Sequence, residues 1–259
     1  MNNTNGQRNL IGNALPTNHK TGIFPIQQSD PAYLIDRNPN RITPQKMLLT
    51  LPLFPALASE PKCLSMGMIG IFLNGVPLFN ALDAAGRDAV AHEVQDSCNA
   101  HPMGKEQYHY HGPSACIAGS TENNKLLGYA MDGFGIYSMF DEKGTEINNR
   151  DLDGCHGHES AILWEGKKVD TYHYVLTREY PYTLGCYKGN STHNKTVDPQ
   201  QNRPQQQKNS SANQSPPVNR PSINQGTARL PRQEDSPPNE RGRRRPPPQA
   251  VEVCSNSSA

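Results

Sequence analysis

The chain has 259 residues, only 34% of them hydrophobic, with 23 prolines and 21 glycines, so it is not packed throughout its length. Residues 190–259 hold 11 of the prolines and no Phe, Trp or Tyr. That composition cannot bury enough apolar surface to offset backbone ordering, which predicts a disordered, Pro/Gln/Asn/Ser-rich tail. Residues 1–189 carry 15 Lys and Arg against 19 Asp and Glu, and the tail carries 10 against 5. A mildly acidic folded part argues against nucleic-acid binding through it, and without a run of about 18 apolar residues no membrane span is expected.

In chain order, residues 1–44 read as an irregular lead-in with turns at Asp30-Pro31 and Asn38-Pro39. Residues 46–53 suit a strand. Residues 68–73 and 76–79 flank Asn74-Gly75 and predict a hairpin with a type I′ turn. One helix is expected over residues 86–97, where Val90 and Val94 lie four apart, Asp83 or Asp88 would cap, and His92 would meet Asp96. Tyr108–His111 alternates as a strand. A second hairpin is expected from residues 126–130 and 134–140 around Asp132-Gly133, then a strand over residues 170–177. The sum is a β-rich single domain, either an all-β sandwich or a compact α+β fold, with one short helix and a disordered C-terminal tail.

Six cysteines without a C-x-x-C pair point to disulfides and an oxidising compartment, although six cysteines permit 15 full pairings. Sequons begin at Asn2, Asn190, Asn194, Asn209, Asn213 and Asn256. Residues Met1–Arg8 are polar and carry no secretory signal, so the chain is read as a secreted glycoprotein whose signal lies outside this sequence.

Seven of the nine histidines lie between positions 92 and 173. In Tyr108-His109-Tyr110-His111 the two imidazoles share one strand face, about 6–7 Å apart, close enough to converge on one metal ion. Cys155-His156-Gly157-His158 offers a second His-x-His, and Tyr172-His173-Tyr174 a fifth imidazole. The candidate ligands are therefore His109, His111, His156, His158 and His173, with Asp132 or Cys155 as completions, gathered around one Zn or Cu ion. The competing reading keeps these histidines as hydrogen-bonded residues of a polar core among tyrosines. His92 and His101 are read as surface or supporting residues, and His19 and His193 are given no role.

The motif Tyr108-His109-Tyr110-His111 resembles that of the YHYH-domain proteins. The similarity extends to Asp30-Pro31-Ala32-Tyr33, Asp36-Arg37-Asn38-Pro39-Asn40, Asn74-Gly75-Val76, Gly86-Arg87-Asp88-Ala89-Val90, Gly128-Tyr129-Ala130-Met131-Asp132-Gly133 and Tyr180-Pro181-Tyr182. It covers about residues 23–189, leaving residues 1–22 as a flexible lead. The resemblance implies a secreted or envelope module without a settled activity and supplies no catalytic residues. Many members carry a second Tyr-His-Tyr-His where this chain reads Tyr172-His173-Tyr174-Val175, which implies a site one imidazole short.

Three functions are open on these grounds. The first is a secreted metal-binding module; the second is an extracellular matrix or adhesion module, with glycan or matrix partners and structural histidines. The third is a metal-dependent hydrolase or oxidase. Against catalysis, the chain has no G-x-S-x-G, H-E-x-x-H, P-loop or G-x-G-x-x-G motif.

Overall fold

The computed structural model describes residues 2–191. The tail, Cys254, His193 and the sequons from Asn194 onward therefore lie outside the described residues. The domain is β-rich, with thirteen strands in three sheets and one short helix among the described residues. No helix among them is long and apolar enough to cross a membrane.

Strands β1 (Asn2–Thr4), β2 (Gln7–Gly12) and β3 (Met47–Pro52) form a three-stranded antiparallel sheet. The lead-in thus contributes two strands that composition hides, because Arg8 of β2 is a core residue. Its guanidinium lies 3.8 Å from the Tyr129 ring centroid and 5.0 Å from that of Trp164, and pairs with Glu165 at 2.6 Å. Strand β4 (Leu57–Lys62) pairs with β13 (Tyr187–Gly189).

The remaining strands form one open eight-stranded sheet. They are β5 (Met68–Phe72), β6 (Pro77–Phe79), β7 (Ala100–Pro102), β8 (Tyr108–Tyr110), β9 (Leu126–Ala130), β10 (Gly135–Tyr137), β11 (Gly157–Trp164) and β12 (Lys167–Val175). Their spatial order is β11-β12-β10-β9-β5-β6-β8-β7.

That order is a palindrome of two four-stranded copies. β5–β6 and β9–β10 are antiparallel hairpins; β6 then pairs in parallel with β8 through Leu78 and Tyr110, as β10 does with β12 through Ile136 and Tyr174. Outer hairpins β7–β8 and β11–β12 close the two edges. The copies meet where β5 and β9 run antiparallel, with Ile71 opposite Tyr129, Gly70 opposite Ala130 and Phe72 opposite Gly128. Residues 70 and 128 are equivalent, as are 72 and 130, so the register is two-fold symmetric about the Ile71–Tyr129 pair.

Local structure repeats in the same detail. Both inner hairpins turn identically: the Phe72 carbonyl accepts from Gly75 N and the Val76 carbonyl from Phe72 N, as Ala130 does with Gly133 and Phe134. Only Gly75 (φ 88°) and Gly133 (φ 92°) are left-handed. This is a type I turn followed by a left-handed glycine, not the expected type I′ turn, which needs positive φ at two residues. Asp83 accepts from the amides of Ala85 and Arg87 through Oδ1, and Asp141 from those of Lys143 and Thr145. Asp96 accepts from Cys98 N and Ala100 N while receiving the Tyr108 hydroxyl; Asp153 does the same for Cys155 N, Gly157 N and the Tyr172 hydroxyl. Each copy also carries one disulfide starting at the corresponding cysteine, Cys98–Cys116 and Cys155–Cys186. Cys63 is disulfide-bonded as well.

The expected helix over residues 86–97 shrinks to one turn, α1 (Ala89–His92), capped by the Asp88 side chain accepting from Val90 N. Glu93 is already extended (φ −106°, ψ 143°), because Asp36 takes the Val94 amide and Asp96 is engaged in the β7 turn. His92 is exposed, bonded to the Asp88 carbonyl, and does not meet Asp96.

Candidate metal centre

The predicted ligands do not gather into one cage. His109 and His111 stand at the β8 edge of the large sheet, whereas His158 and His173 stand at the β11–β12 edge. Five strand spacings separate β8 from β12, about 24 Å along the sheet.

At the first edge, His109 faces His101 directly across the β7–β8 ladder, and His111 follows immediately after β8. His101 Nε2 and His109 Nε2 lie 3.2 and 3.0 Å from His111 Nε2. All three rings are buried, with relative exposures of 3%, 2% and 4% for His101, His109 and His111. Together they form a group of ligand atoms dense enough for a single metal ion.

The opposite ring nitrogens of two of them are tied down. His109 Nδ1 donates to the Gln107 carbonyl (3.0 Å) and His111 Nδ1 to the Asn80 carbonyl (2.6 Å). Both Nε2 atoms therefore carry lone pairs, facing each other at 3.0 Å. The Asn38 amide nitrogen lies 3.2 Å from His101 Nδ1. Phe79 stacks on His109 at 3.9 Å, excluding water from that side.

A carboxylate completes the cluster. Glu93 Oε2 lies 3.4 Å from His101 Nε2 and 3.2 Å from His111 Nε2, on the side that retains solvent access. That oxygen is itself buried and makes no hydrogen bond. Burial holds the His101 and His109 pKa values below the usual histidine range, well below it for His109, which disfavours protonation of those two rings.

The second edge keeps part of this arrangement. His158 faces His173 across the β11–β12 ladder, with their Nε2 atoms 3.2 Å apart and ring centroids 4.7 Å apart, the same centroid separation as His101–His109. His173 Nδ1 donates to the Thr171 carbonyl two residues back, as His109 Nδ1 does to that of Gln107. Tyr137 lies against His173 where Phe79 lies against His109. Val175 ends β12 at the position that His111 takes after β8.

The other expected ligands are engaged elsewhere. His156, held at φ 72°, donates from Nδ1 to the Thr183 carbonyl (2.8 Å), and its Nε2 lies 3.1 Å from the Thr177 hydroxyl. Burial lowers its pKa to about 4. Asp132 accepts from the Tyr174 hydroxyl (2.6 Å) and the Gly189 amide (2.9 Å), tying β12 and β13 to the inner turn. Cys155 has no free thiolate, being bonded to Cys186. His19 also nears Cys98 and Cys116, but those sulfurs form a disulfide and His19 Nε2 meets the Tyr110 hydroxyl.

Sequence reasoning missed His101 and Glu93. His101 had a usable signal, since Asp96-x-Cys98-x-x-His101 recurs as Asp153-x-Cys155-x-x-His158. Glu93 had none, since it fell inside the expected helix over residues 86–97.

These features define a disulfide-braced β domain with a buried imidazole cluster at one sheet edge. Residues 48–146 match the model of the YHYH protein family. The matched segment spans β3 through the whole first copy and the first hairpin of the second. No curated protein and no solved structure matches the chain.

Proposed function

We propose that the domain binds one transition-metal ion, Zn(II) above all, through His101, His109 and His111. The observation that carries this reading is the convergence of three buried Nε2 atoms, two of which have their protons fixed on the opposite nitrogen by backbone carbonyls. With neutral rings, four acceptors, counting Glu93 Oε2, share the one proton that His101 can offer, which leaves buried lone pairs unmatched. A cation removes that conflict. Zn–N bonds of about 2.0–2.1 Å in a tetrahedron set nitrogens about 3.3–3.4 Å apart, close to the 3.0 and 3.2 Å separations here. The carbonyls on His109 and His111 orient the rings as outer partners of metal-bound imidazoles do.

Glu93 lines the fourth coordination position, as a ligand or beside a bound water. Three imidazoles with a neighbouring carboxylate are also the donor count of a catalytic ion, and that observation keeps a metal-dependent hydrolase as the second reading. The disulfides support the view that the chain works in an oxidising, extracytoplasmic compartment.

The test is metal analysis of full-length protein purified without an affinity tag, with the His111→Ala variant beside it. About one ion per chain is expected in the wild type, with affinity reduced at least a hundredfold in the variant. No ion in the wild type, before or after incubation with Zn(II), rejects the proposal.

A further inference from the structure

The second copy retains His158 and His173 in the relation of His101 and His109 but has lost the other donors. Val175 replaces the third imidazole. Asp96, Cys98 and His101 correspond to Asp153, Cys155 and His158 at a constant offset, which also sets Glu93 against Arg150. The Arg150 side chain is 83% exposed, so the position equivalent to Glu93 brings no donor to the pair, and the carboxylates near His158 are those of Asp151 and Asp153. A cavity of about 190 Å³ opens beside the two rings, with Tyr137, Val175, Asp141, Glu142 and Lys143 among the residues that line it.

We infer that this pair is a second metal site of a different kind, which holds a divalent transition-metal ion on two imidazoles and leaves its remaining coordination positions to the cavity. The His173 proton is fixed by the Thr171 carbonyl, so its Nε2 lone pair points at His158 Nε2, 3.2 Å away. An ion there completes its shell with water or a small external ligand, for which the cavity has room. The first site gathers its donors from the protein; the second is built to exchange them. Two protein ligands in place of three make the second ion the weaker one, and Cu(II) the divalent ion it takes best. This inference extends the metal-binding reading of the first site but is read out separately from it.

The experiment is a Cu(II) titration of chelator-stripped, full-length protein, followed by calorimetry and electron paramagnetic resonance. Two ions per chain are expected in the wild type, the second bound at least tenfold more weakly. His109→Ala should keep only the weaker ion, which should acquire a new spectrum when free imidazole is added, and His109→Ala/His173→Ala should keep none. His101→Gln substitutes for His109→Ala if the latter does not fold. Val175→His should tighten the weaker ion at least tenfold by restoring the third imidazole. The inference is overturned if the single variant binds no Cu(II), or binds an ion that His173→Ala leaves unchanged. His173→Ala alone decides the first site independently: it keeps the tight ion if that reading holds, and loses all bound copper if only the second site is real.

Discussion

Gly128 lies against the backbone of Ile71 so closely that a Cβ there would collide with the Ile71 carbonyl oxygen, and Gly70 has the same relation to the Tyr129 carbonyl, 2.8 Å from its would-be Cβ. The two glycines are equivalent positions on either side of the two-fold junction. Because both obstacles are backbone in the middle of the sheet, no side-chain rotation relieves them.

Gly128→Ala should therefore destabilise the protein by about 1–3 kcal/mol or more, the range of forced overpacking in a tight core. Gly154→Ala, where an added Cβ meets nothing within 4 Å, should change stability by less than about 1 kcal/mol. Urea unfolding of the two variants checks this; equal effects would mean that the β5–β9 junction is not close-packed.

A second prediction concerns pH. His156 is neutral and buried, with its pKa lowered to about 4, against about 6.5 in the unfolded chain. At pH 7 the ring is neutral in both states. As pH falls below about 6.5 the unfolded chain takes up a proton that the folded chain refuses, so stability falls with pH until about pH 4. The loss from this residue is on the order of 3–4 kcal/mol at most, since each tenfold difference in proton affinity between the two states is worth about 1.4 kcal/mol. Metal-free protein should lose stability between pH 7 and pH 5, and His156→Gln should flatten that dependence. A variant with an unchanged pH slope contradicts the assignment.

Glu93 supplies a third. Its carboxylate adds negative charge beside two of the three imidazoles without being one of them, so Glu93→Gln should weaken Zn(II) binding about tenfold, much less than His111→Ala does. The same ion should stabilise the fold: at a thousandfold excess over Kd the gain is about 4 kcal/mol, visible as a higher Tm that a chelator reverses. A Tm unaffected by chelation in protein shown to carry the ion would contradict coupling between site and fold.

The disulfides repeat with the copies, closing segments of 18 and 31 residues. Removing either as a pair of alanines should cost about 2–5 kcal/mol, with the longer loop costing no less than the shorter. Thermal unfolding of Cys98→Ala/Cys116→Ala and Cys155→Ala/Cys186→Ala measures both.

Much of the large sheet is legible in the sequence because its signals are local. Asn74-Gly75 and Asp132-Gly133 mark the inner hairpins, and alternation marks β8 and β12. What stays hidden depends on contacts distant in sequence. Strand β2 buries Arg8 against Tyr129 and Trp164, so its polarity reads as loop. The helix pattern around Val90 and Val94 is real for one turn and is then overruled by Asp36 and Asp96, which take up neighbouring backbone amides. The duplication is hard to see because its shared residues are sparse, chiefly Gly70/Gly128, Asp83/Asp141, Asp96/Asp153, Cys98/Cys155, His101/His158 and the two Tyr-His-Tyr strands. Insertion in the β11–β12 hairpin also breaks the constant spacing between them. Without the repeat, histidines from two copies read as one cage; the sheet keeps them at opposite edges.

The most direct test of the metal-binding account is anomalous diffraction at the zinc edge from crystals of the untagged protein. The account predicts a strong peak within about 2.0–2.2 Å of the Nε2 atoms of His101, His109 and His111, with Glu93 beside the fourth position. An empty cluster in zinc-soaked crystals, with the three rings retaining their present places, would contradict it.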